Sequence, residues 1–178
     1  MRVIAGIYKG RKLESPENYD IRPTTDKAKE ACFSILNNDI PGARVLDLFA
    51  GTGALGIEAL SRGAAECVFT DHSRQSIGLI KRNLAHCGAE ENARVIAGDF
   101  RKVLPGLSGT FDVILMDPPY NKGLLDEALE IISEHGLLAE GGVIVCEHRK
   151  EEDIPDQIGT LTKEKERRYG IVKLSIYR

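Results

Sequence analysis

Short apolar runs alternate with segments of helical periodicity through the middle of the chain. The runs are rich in Val, Ile and Leu and lie near residues 44–48, 67–71, 94–97, 113–116 and 143–147. In the segments between them, such as 73–86 and 124–135, apolar residues recur at three- and four-residue spacing. This order predicts an α/β fold with a mostly parallel sheet that is covered by helices on both faces.

The two ends of the chain depart from this alternation. Residues 1–14 predict a small β-hairpin that turns at Tyr8-Lys9-Gly10, followed by a loop and a helix over 26–36 with Thr24 or Thr25 as its cap. Residues 161–169 and 171–177 predict two antiparallel strands around Gly170. The prediction is therefore a seven-stranded sheet with a C-terminal antiparallel hairpin, in one domain over 1–178. Residues 1–25 form its hairpin and loop extension, and residues 26–178 form the core.

Composition narrows the class of protein. The 178 residues are 42% hydrophobic and 29% charged, as in a globular domain, and no apolar run approaches the roughly 18 residues that span a bilayer. Because no secretory signal follows Met1, we expect a cytoplasmic protein without a membrane partner. The four cysteines lie far apart and predict reduced, mostly buried thiols, with no metal site.

The net charge of −3 is unevenly distributed. Residues 1–12 carry four basic residues and no acidic one, and residues 163–178 carry six basic residues against two acidic ones, so the middle of the chain has a net charge of −11. Two basic ends on an acidic body are typical of a protein with an anionic partner such as nucleic acid, although solvated termini have the same composition.

A glycine loop follows the first apolar run. The segment Val45–Gly56 predicts a strand, then G-x-G-x-x-G, then a helix, and Asp71 ends the next strand 20 residues after Gly51. This context is typical of a Rossmann nucleotide site, in which the distal acid accepts hydrogen bonds from ribose hydroxyls. Asp47 would repel phosphates and suits a cationic ligand such as S-adenosylmethionine. We also expect a Cβ at Gly53 to clash with the cofactor.

The fourth apolar run ends in Asp117-Pro118-Pro119-Tyr120. Two prolines give a rigid loop whose carbonyls are free to accept hydrogen bonds. Asp117 and the Pro118 carbonyl can therefore hold an exocyclic amine with its lone pair toward a sulfonium methyl, while Tyr120 stacks on the base. A proline-stiffened turn with Asp117 as a helix cap is the alternative.

Together these motifs resemble the bacterial 16S rRNA guanine-N2 methyltransferases of the RsmD type, which have a Rossmann-like class I methyltransferase fold. The specific signatures are M-R-V-I-A-G-x-x-K-G-R at residues 1–11, I-R-P-T-T-D at 21–26 and E-A-L-S-R-G at 58–63. The family often has Glu at the end of the second strand and an acid two residues later, where this chain has Asp71 and Ser73.

The resemblance implies S-adenosylmethionine as cofactor, no metal, and 16S rRNA as substrate, within a 30S subunit or an assembly intermediate and with no obligate protein partner. The catalytic residues would be Asp117, Pro118 and Tyr120. The cofactor would contact Asp47, Phe49, Gly51, Thr52, Gly53, Leu55, Asp71, His72, Asp99, Phe100 and Asp117. Asp99 would accept from the adenine amine; His72 would cover the adenine or remain an exposed loop histidine.

The RNA contacts implied by the resemblance are Arg2, Lys9, Arg11, Lys12, Arg22 and Thr24. Arg22 either contacts RNA, orders the catalytic loop, or bridges Asp20 or Asp26. Two other functions stay open at this point. One is N-methylation of another exocyclic amine, such as adenine in RNA or DNA, and the other is a non-catalytic RNA-binding assembly factor with a vestigial cofactor fold.

Overall fold

A computed structural model describes residues 1–16, 23–120 and 123–178, without the side chains of residues 23–25. The strands found there are β1 Arg44–Asp47, β2 Glu66–Asp71, β3 Ala93–Ala97, β4 Phe111–Met116, β5 Leu138–Arg149, β6 Gln157–Ile158, β7 Leu161–Tyr169 and β8 Val172–Tyr177. They form one sheet in the order β3-β2-β1-β4-β5-β8-β7-β6. Strands β1 to β5 are parallel, and β8, β7 and β6 add in antiparallel fashion.

The predicted fold class is confirmed, with one strand more than the seven expected. The additional strand is β6, whose two residues pair with the start of β7. Proline and acidic residues at 150–156 interrupt the apolar pattern that would have indicated it. The β7–β8 hairpin turns at Gly170 as predicted.

The helices are α1 Pro23–Ile35, α2 Ala54–Ser61, α3 Arg74–Cys87, α4 Phe100–Val103 and α5 Leu124–Glu134. Ser73 caps α3, since its hydroxyl accepts from the Ser76 amide at 3.3 Å. The start of α1 differs from the prediction. The helix begins at Pro23, which places Thr24 and Thr25 in its first turn rather than before it. Proline suits the first helical position because its fixed φ and missing N–H cost nothing there.

The sheet carries helices on both faces, as its apolar strands predict. On one face, α1, α2 and α3 pack Phe33, Ile57 and Ile80 against Val45 and Val113. On the other, α4 and α5 contribute buried residues that pack against the alternate strand positions, Leu46 and Ile114. All four cysteines are buried and unpaired. Within the described part of the chain, no helix is long and apolar enough to cross a membrane.

The N-terminal segment turns where predicted but forms a single bridge, between Arg2 and Lys12, rather than two strands. Its backbone instead bonds to the core. The amides of Ile4 and Ala5 donate to the carboxylate of Glu58 at 2.9 and 3.1 Å. Because these amides are satisfied by α2, they are not available for a regular hairpin ladder.

Candidate active site

The carboxyl ends of the parallel strands meet at one edge of the sheet, where an open α/β sheet binds its ligands. Two adjoining cavities open there, of about 220 and 200 Å³. The glycine-loop cavity is lined by Met1, Pro16, Asp26, Lys29, Phe49, Ala50, Gly51, Thr52, Ala54, Leu55, Ser76, Leu79, Asp117 and Glu147. The Asp99 cavity is lined by Phe49, Thr70, Asp71, His72, Gly98, Asp99, Phe100, Arg101, Pro119 and Leu124.

The glycine loop connects β1 to α2 and forms the floor of the first cavity. Gly51 and Gly53 have φ values of 60° and 83°, which favour glycine. A Cβ added at Gly53 would meet only Ile57 and Ile80, at 3.5 Å, and Gly53 lines neither cavity. The Cβ direction therefore leads toward the core side chains of Ile57 and Ile80, and the expected clash with the cofactor stays a prediction. Glycine is required at this position by the backbone conformation.

Gly56 is the third glycine of the loop motif and serves packing. A Cβ there would lie 2.3 Å from the ring of Phe69, so the absence of a side chain lets α2 approach β2. The amide of Gly56 also donates to Asp47 at 2.9 Å.

Asp47 lies behind the loop rather than in a cavity. Its side chain is 1% exposed and lines neither space. Burial raises its pKa to about 7, against the lowering effect of the Gly56 amide bond. In this structure Asp47 acts on the site through the loop that it anchors.

Phe49 forms the wall that the two cavities share. Its φ of 62° is the one positive value at a non-glycine residue in the described ranges. The conformation is unfavourable by about 1 kcal/mol or more, and such strain concentrates at functional sites. Its ring meets Phe100 edge to face, with centroids 5.1 Å apart.

Polar side chains from the ends of β2 and β3 line the Asp99 cavity. Asp71 accepts from the amides of Gly51 and Ser73, at 3.0 and 2.9 Å, so it links this cavity to the glycine loop. Asp99 accepts from the Arg101 amide at 2.8 Å, and this bond, followed by the charge of Arg101, lowers its pKa. His72 is exposed and lies 3.7 Å from Asp71.

The tetrapeptide after β4 borders both cavities. Asp117 lines the glycine-loop cavity and Pro119 lines the Asp99 cavity, while Pro118 is buried between them. The guanidinium of Arg149 lies over the Tyr120 ring, 5.2 Å from its centroid, and its Nε is buried without a hydrogen-bond partner.

A second carboxyl group accompanies Asp117. Glu147, on the neighbouring strand β5, lines the same cavity and shares a side-chain hydrogen bond with Asp117. Burial raises the pKa of both groups, and the charge of Asp117 raises that of Glu147 further. The sequence reasoning missed Glu147, although its place at the end of a predicted strand beside D-P-P-Y was a usable signal.

Sequence reasoning also missed the groups that bring α1 and the N-terminal segment to this cavity. Lys29 is buried, donates to the Arg2 carbonyl at 2.8 Å and pairs with Glu58 at 3.4 Å. Glu58 is itself fully buried and also pairs with Arg62 at 2.8 Å. This network holds the segment against α2, so that Met1 and Pro16 form part of the cavity wall.

Among the described residues, none of the basic side chains predicted to bind RNA lines either cavity. Arg2, Lys9, Arg11 and Lys12 are exposed. The tip of the N-terminal segment contacts Ser61 and His86, at the ends of α2 and α3 that lie away from the cavities. Arg22 lies outside the described residues, and Thr24 lies in α1 without a described side chain.

Comparisons with known proteins identify the family to which this chain is similar. The family described as "Conserved hypothetical protein 95" matches residues 1–178. Ribosomal RNA small subunit methyltransferase D of Escherichia coli (strain K12) is 35% identical over 177 residues, covering 99% of this chain and 89% of the relative. The protein YlbH of Bacillus subtilis (strain 168) is 40% identical over 181 residues, covering 100% and 98%. The solved structure of yhhF from Escherichia coli superposes with a TM-score of 0.87 at 35% identity, covering 99% and 96%.

The chain belongs to the RsmD family of methyltransferases. Two signatures of the RsmD type then have a common physical explanation. The stretch that begins with Met1 and the stretch that begins with Glu58 bind each other, through the Glu58 carboxylate and through Ser61, whose hydroxyl donates to the Ala5 carbonyl at 2.6 Å. These residues assemble the wall of the glycine-loop cavity.

Proposed function

We propose that this protein transfers a methyl group from S-adenosylmethionine to the exocyclic N2 amine of a guanine in 16S rRNA. The observation that carries the proposal is that Asp117 lines the same cavity as the glycine loop. A group that can hold an amine thus faces the place where a cofactor of this fold binds.

The residues at the two cavities fit S-adenosylmethionine. The glycine-loop cavity is lined by the carboxyl groups of Asp26 and Asp117, whose ionised forms suit a ligand with cationic ammonium and sulfonium groups. The Asp99 cavity offers an aromatic ring, Phe100, and acceptors in Asp71 and Asp99 that suit adenosine. When bound, the cofactor supplies a methyl group on an electrophilic sulfonium.

We assign the cofactor contacts to Phe49, Gly51, Thr52, Leu55, Asp71, His72, Asp99 and Phe100, with Asp47 and Gly53 acting through the loop. Asp71 receives the Gly51 amide on one oxygen and the Ser73 amide on the other, which fixes its carboxylate in the cavity wall. Two of its lone pairs stay available for ribose hydroxyls.

The chain's part in the reaction is to hold the amine. Asp117 accepts one N–H and the Pro118 carbonyl accepts the other, which directs the nitrogen lone pair at the methyl group. Near-attack alignment lowers such a barrier by up to roughly 7 to 11 kcal/mol. The acceptors also stabilise the positive charge that develops on the nitrogen, and the methylated amine then loses a proton to solvent. Tyr120, which Arg149 holds from behind, stacks on the base.

The choice of small-subunit rRNA as substrate is supported by relatives named ribosomal RNA small subunit methyltransferase D, whereas the choice of guanine rests on the motif resemblance. The RNA contacts stay proposals: Arg2, Lys9, Arg11 and Lys12 would bind phosphates and set affinity rather than base choice. A 30S subunit or assembly intermediate as substrate, and a cytoplasmic location, are likewise proposals.

The test is methyl transfer from labelled S-adenosylmethionine to unmodified 30S subunits and to free 16S rRNA in parallel, followed by nucleoside analysis. We expect N2-methylguanosine, with Asp117→Asn as the inactive control. Labelled N6-methyladenosine would assign the enzyme to another amine. Absence of label from both substrates at saturating enzyme, with RNA binding unaffected by Asp117→Asn, would favour the non-catalytic assembly factor.

A further inference from the structure

Glu147 lies beside Asp117 in the glycine-loop cavity. Strands β4 and β5 are parallel and pair Met116 with Cys146, so Asp117, which directly follows β4, is next to Glu147 on β5. Both line the glycine-loop cavity, and their carboxyl groups share a hydrogen bond. The proposed reaction uses Asp117 and leaves Glu147 without a role.

A hydrogen bond between two carboxyl groups requires a proton, because an ionised carboxylate has no donor. Glu147 is the member that keeps the proton, because burial and the charge of Asp117 both raise its pKa. The groups around the pair do not reverse this. Asp26 and Cys32 on α1 and Asp47 on β1 add no positive charge, and Lys29 is engaged by Glu58 and the Arg2 carbonyl.

A neutral Glu147 presents two different atoms. Its hydroxyl donates to Asp117, and its carbonyl oxygen has lone pairs for one further donor. Next to Asp117 the site therefore offers a second acceptor. Among the amino bases, guanine alone has a donor beside its amine, since N1–H adjoins N2. The adenine amine is flanked by N1 and N7, which are acceptors, and the cytosine amine adjoins N3, also an acceptor.

We propose that Glu147 is a specificity-determining residue that selects guanine: its hydroxyl holds Asp117 while its carbonyl oxygen accepts the N1–H of the target base. The inference rests on the proposed function and adds to it the group that reads the base. The inference predicts that glutamine can substitute for Glu147, because an amide, like a protonated carboxyl, has one hydrogen-bond donor and one acceptor.

The first test compares Glu147→Gln with Glu147→Met, a side chain of similar length without hydrogen-bonding groups. Single-turnover methylation of unmodified 30S subunits is expected to stay within about threefold of wild type for Gln and to fall roughly 10- to 100-fold for Met, the range of one base-specific contact. Binding of S-adenosylhomocysteine and thermal unfolding, measured on both variants, show whether each is folded.

The pH profile separates a proton-bearing carboxyl from a structural side chain. In wild type, activity should rise as Asp117 ionises and fall again as the pair loses its last proton, since two adjacent anions repel. The Gln variant should keep the acid limb and retain activity further into the alkaline range. Loss of the guanine N1 proton affects both enzymes equally, so the inference depends on the difference between them. If wild type and the Gln variant lose activity over the same alkaline pH range, the inference is overturned.

The decisive measurement replaces the mapped target guanine by 2-aminopurine in a ligated rRNA, which keeps the N2 amine but has a lone pair at N1. Wild type and the Gln variant should prefer guanine roughly 10-fold more strongly than the Met variant does, because intrinsic reactivity cancels in the comparison. An unchanged preference in the Met variant overturns the role of Glu147. Failure of wild type to form N2-methylguanosine on either substrate is a different result and overturns the proposed function itself.

Discussion

The two cavities at the carboxyl edge of the sheet share Phe49, but the pKa values of acidic residues around them are shifted in opposite directions. Around the glycine-loop cavity, burial raises the pKa of Asp47, Asp117 and Glu147. In and beside the Asp99 cavity, hydrogen bonds and the charge of Arg101 lower the pKa of Asp99 and of Glu127. Asp47, Asp117 and Glu147 are thus wholly or partly withdrawn from water, whereas Asp99 and Glu127 lie at the surface beside a guanidinium.

This difference predicts separate roles for the two cavities. Partial burial of Asp117 and Glu147 strengthens the electrostatic contacts in the glycine-loop cavity, which is where the proposed reaction requires positive charge to be stabilised. Ionic contacts at the exposed rim of the Asp99 cavity contribute less energy, because solvent screens them. We therefore expect substitutions in the glycine-loop cavity to affect turnover and stability strongly, and those at the Asp99 cavity to change cofactor affinity modestly.

The largest effect is expected for Asp117→Asn. The amide keeps the shape of the side chain but removes the negative charge and one acceptor, so the amine is neither aligned nor stabilised as it becomes positive. We expect single-turnover methylation to fall roughly 10³-fold, while the Kd for S-adenosylhomocysteine changes less than about threefold.

The matched control is Asp99→Asn, the same change in the other cavity. It should leave the rate of methyl transfer at saturating cofactor near that of wild type. If the two variants lose turnover equally, the division between the cavities is wrong.

The next effect is expected for Glu58→Gln, which leaves the buried Lys29 without a charged partner and weakens the anchor of the N-terminal segment. Breaking one partner of a buried ion pair costs about 3 kcal/mol or more, measured by urea unfolding. Adenosine, which we assign to the Asp99 cavity, should bind as in wild type, whereas S-adenosylhomocysteine should bind more weakly. Glu66→Gln, which breaks the surface pair with Arg44, is the control and should cost under about 1 kcal/mol.

A smaller effect, with a defined pH dependence, is expected for Asp47→Asn. The folded protein holds the Asp47 proton up to a pKa of about 7, whereas the unfolded chain releases it near pH 4. Wild-type stability should therefore fall as pH rises through this window, and the asparagine variant should gain on wild type by about 3 kcal/mol between pH 4.5 and 8. Denaturant titrations at several pH values measure the gap. A gap that shrinks as pH rises would contradict the raised pKa.

Local motifs predicted the fold and much of the candidate site. The glycine loop and D-P-P-Y are contiguous, and the ends of parallel strands converge by topology, so Asp71, Asp99 and Asp117 could be placed together without coordinates. The strand-end position of Glu147 marked it as a candidate, but its contact with Asp117 depends on the register between β4 and β5, which the sequence does not show. The part of the cavity wall that includes Met1 and Lys29, and that Glu58 anchors, likewise depends on long-range docking. The buried charged triad of Lys29, Glu58 and Arg62 gives no periodic signal in sequence.

The smallest effect is expected for Arg101→Ala at the rim of the Asp99 cavity. Arg101 bonds to Asp99 at 3.1 Å and to Glu127 at 2.5 Å, yet all three side chains are 45–47% exposed, so solvent screens both pairs. We expect the free energy of unfolding to stay close to that of wild type and the Kd for S-adenosylhomocysteine to change by under about threefold, measured calorimetrically at low and high salt. Because removing Arg101 leaves the Asp99 carboxylate ionised and solvated, any loss should shrink as salt rises. A large loss of stability or of S-adenosylhomocysteine affinity that does not depend on salt would contradict the difference in solvent exposure between the two cavities.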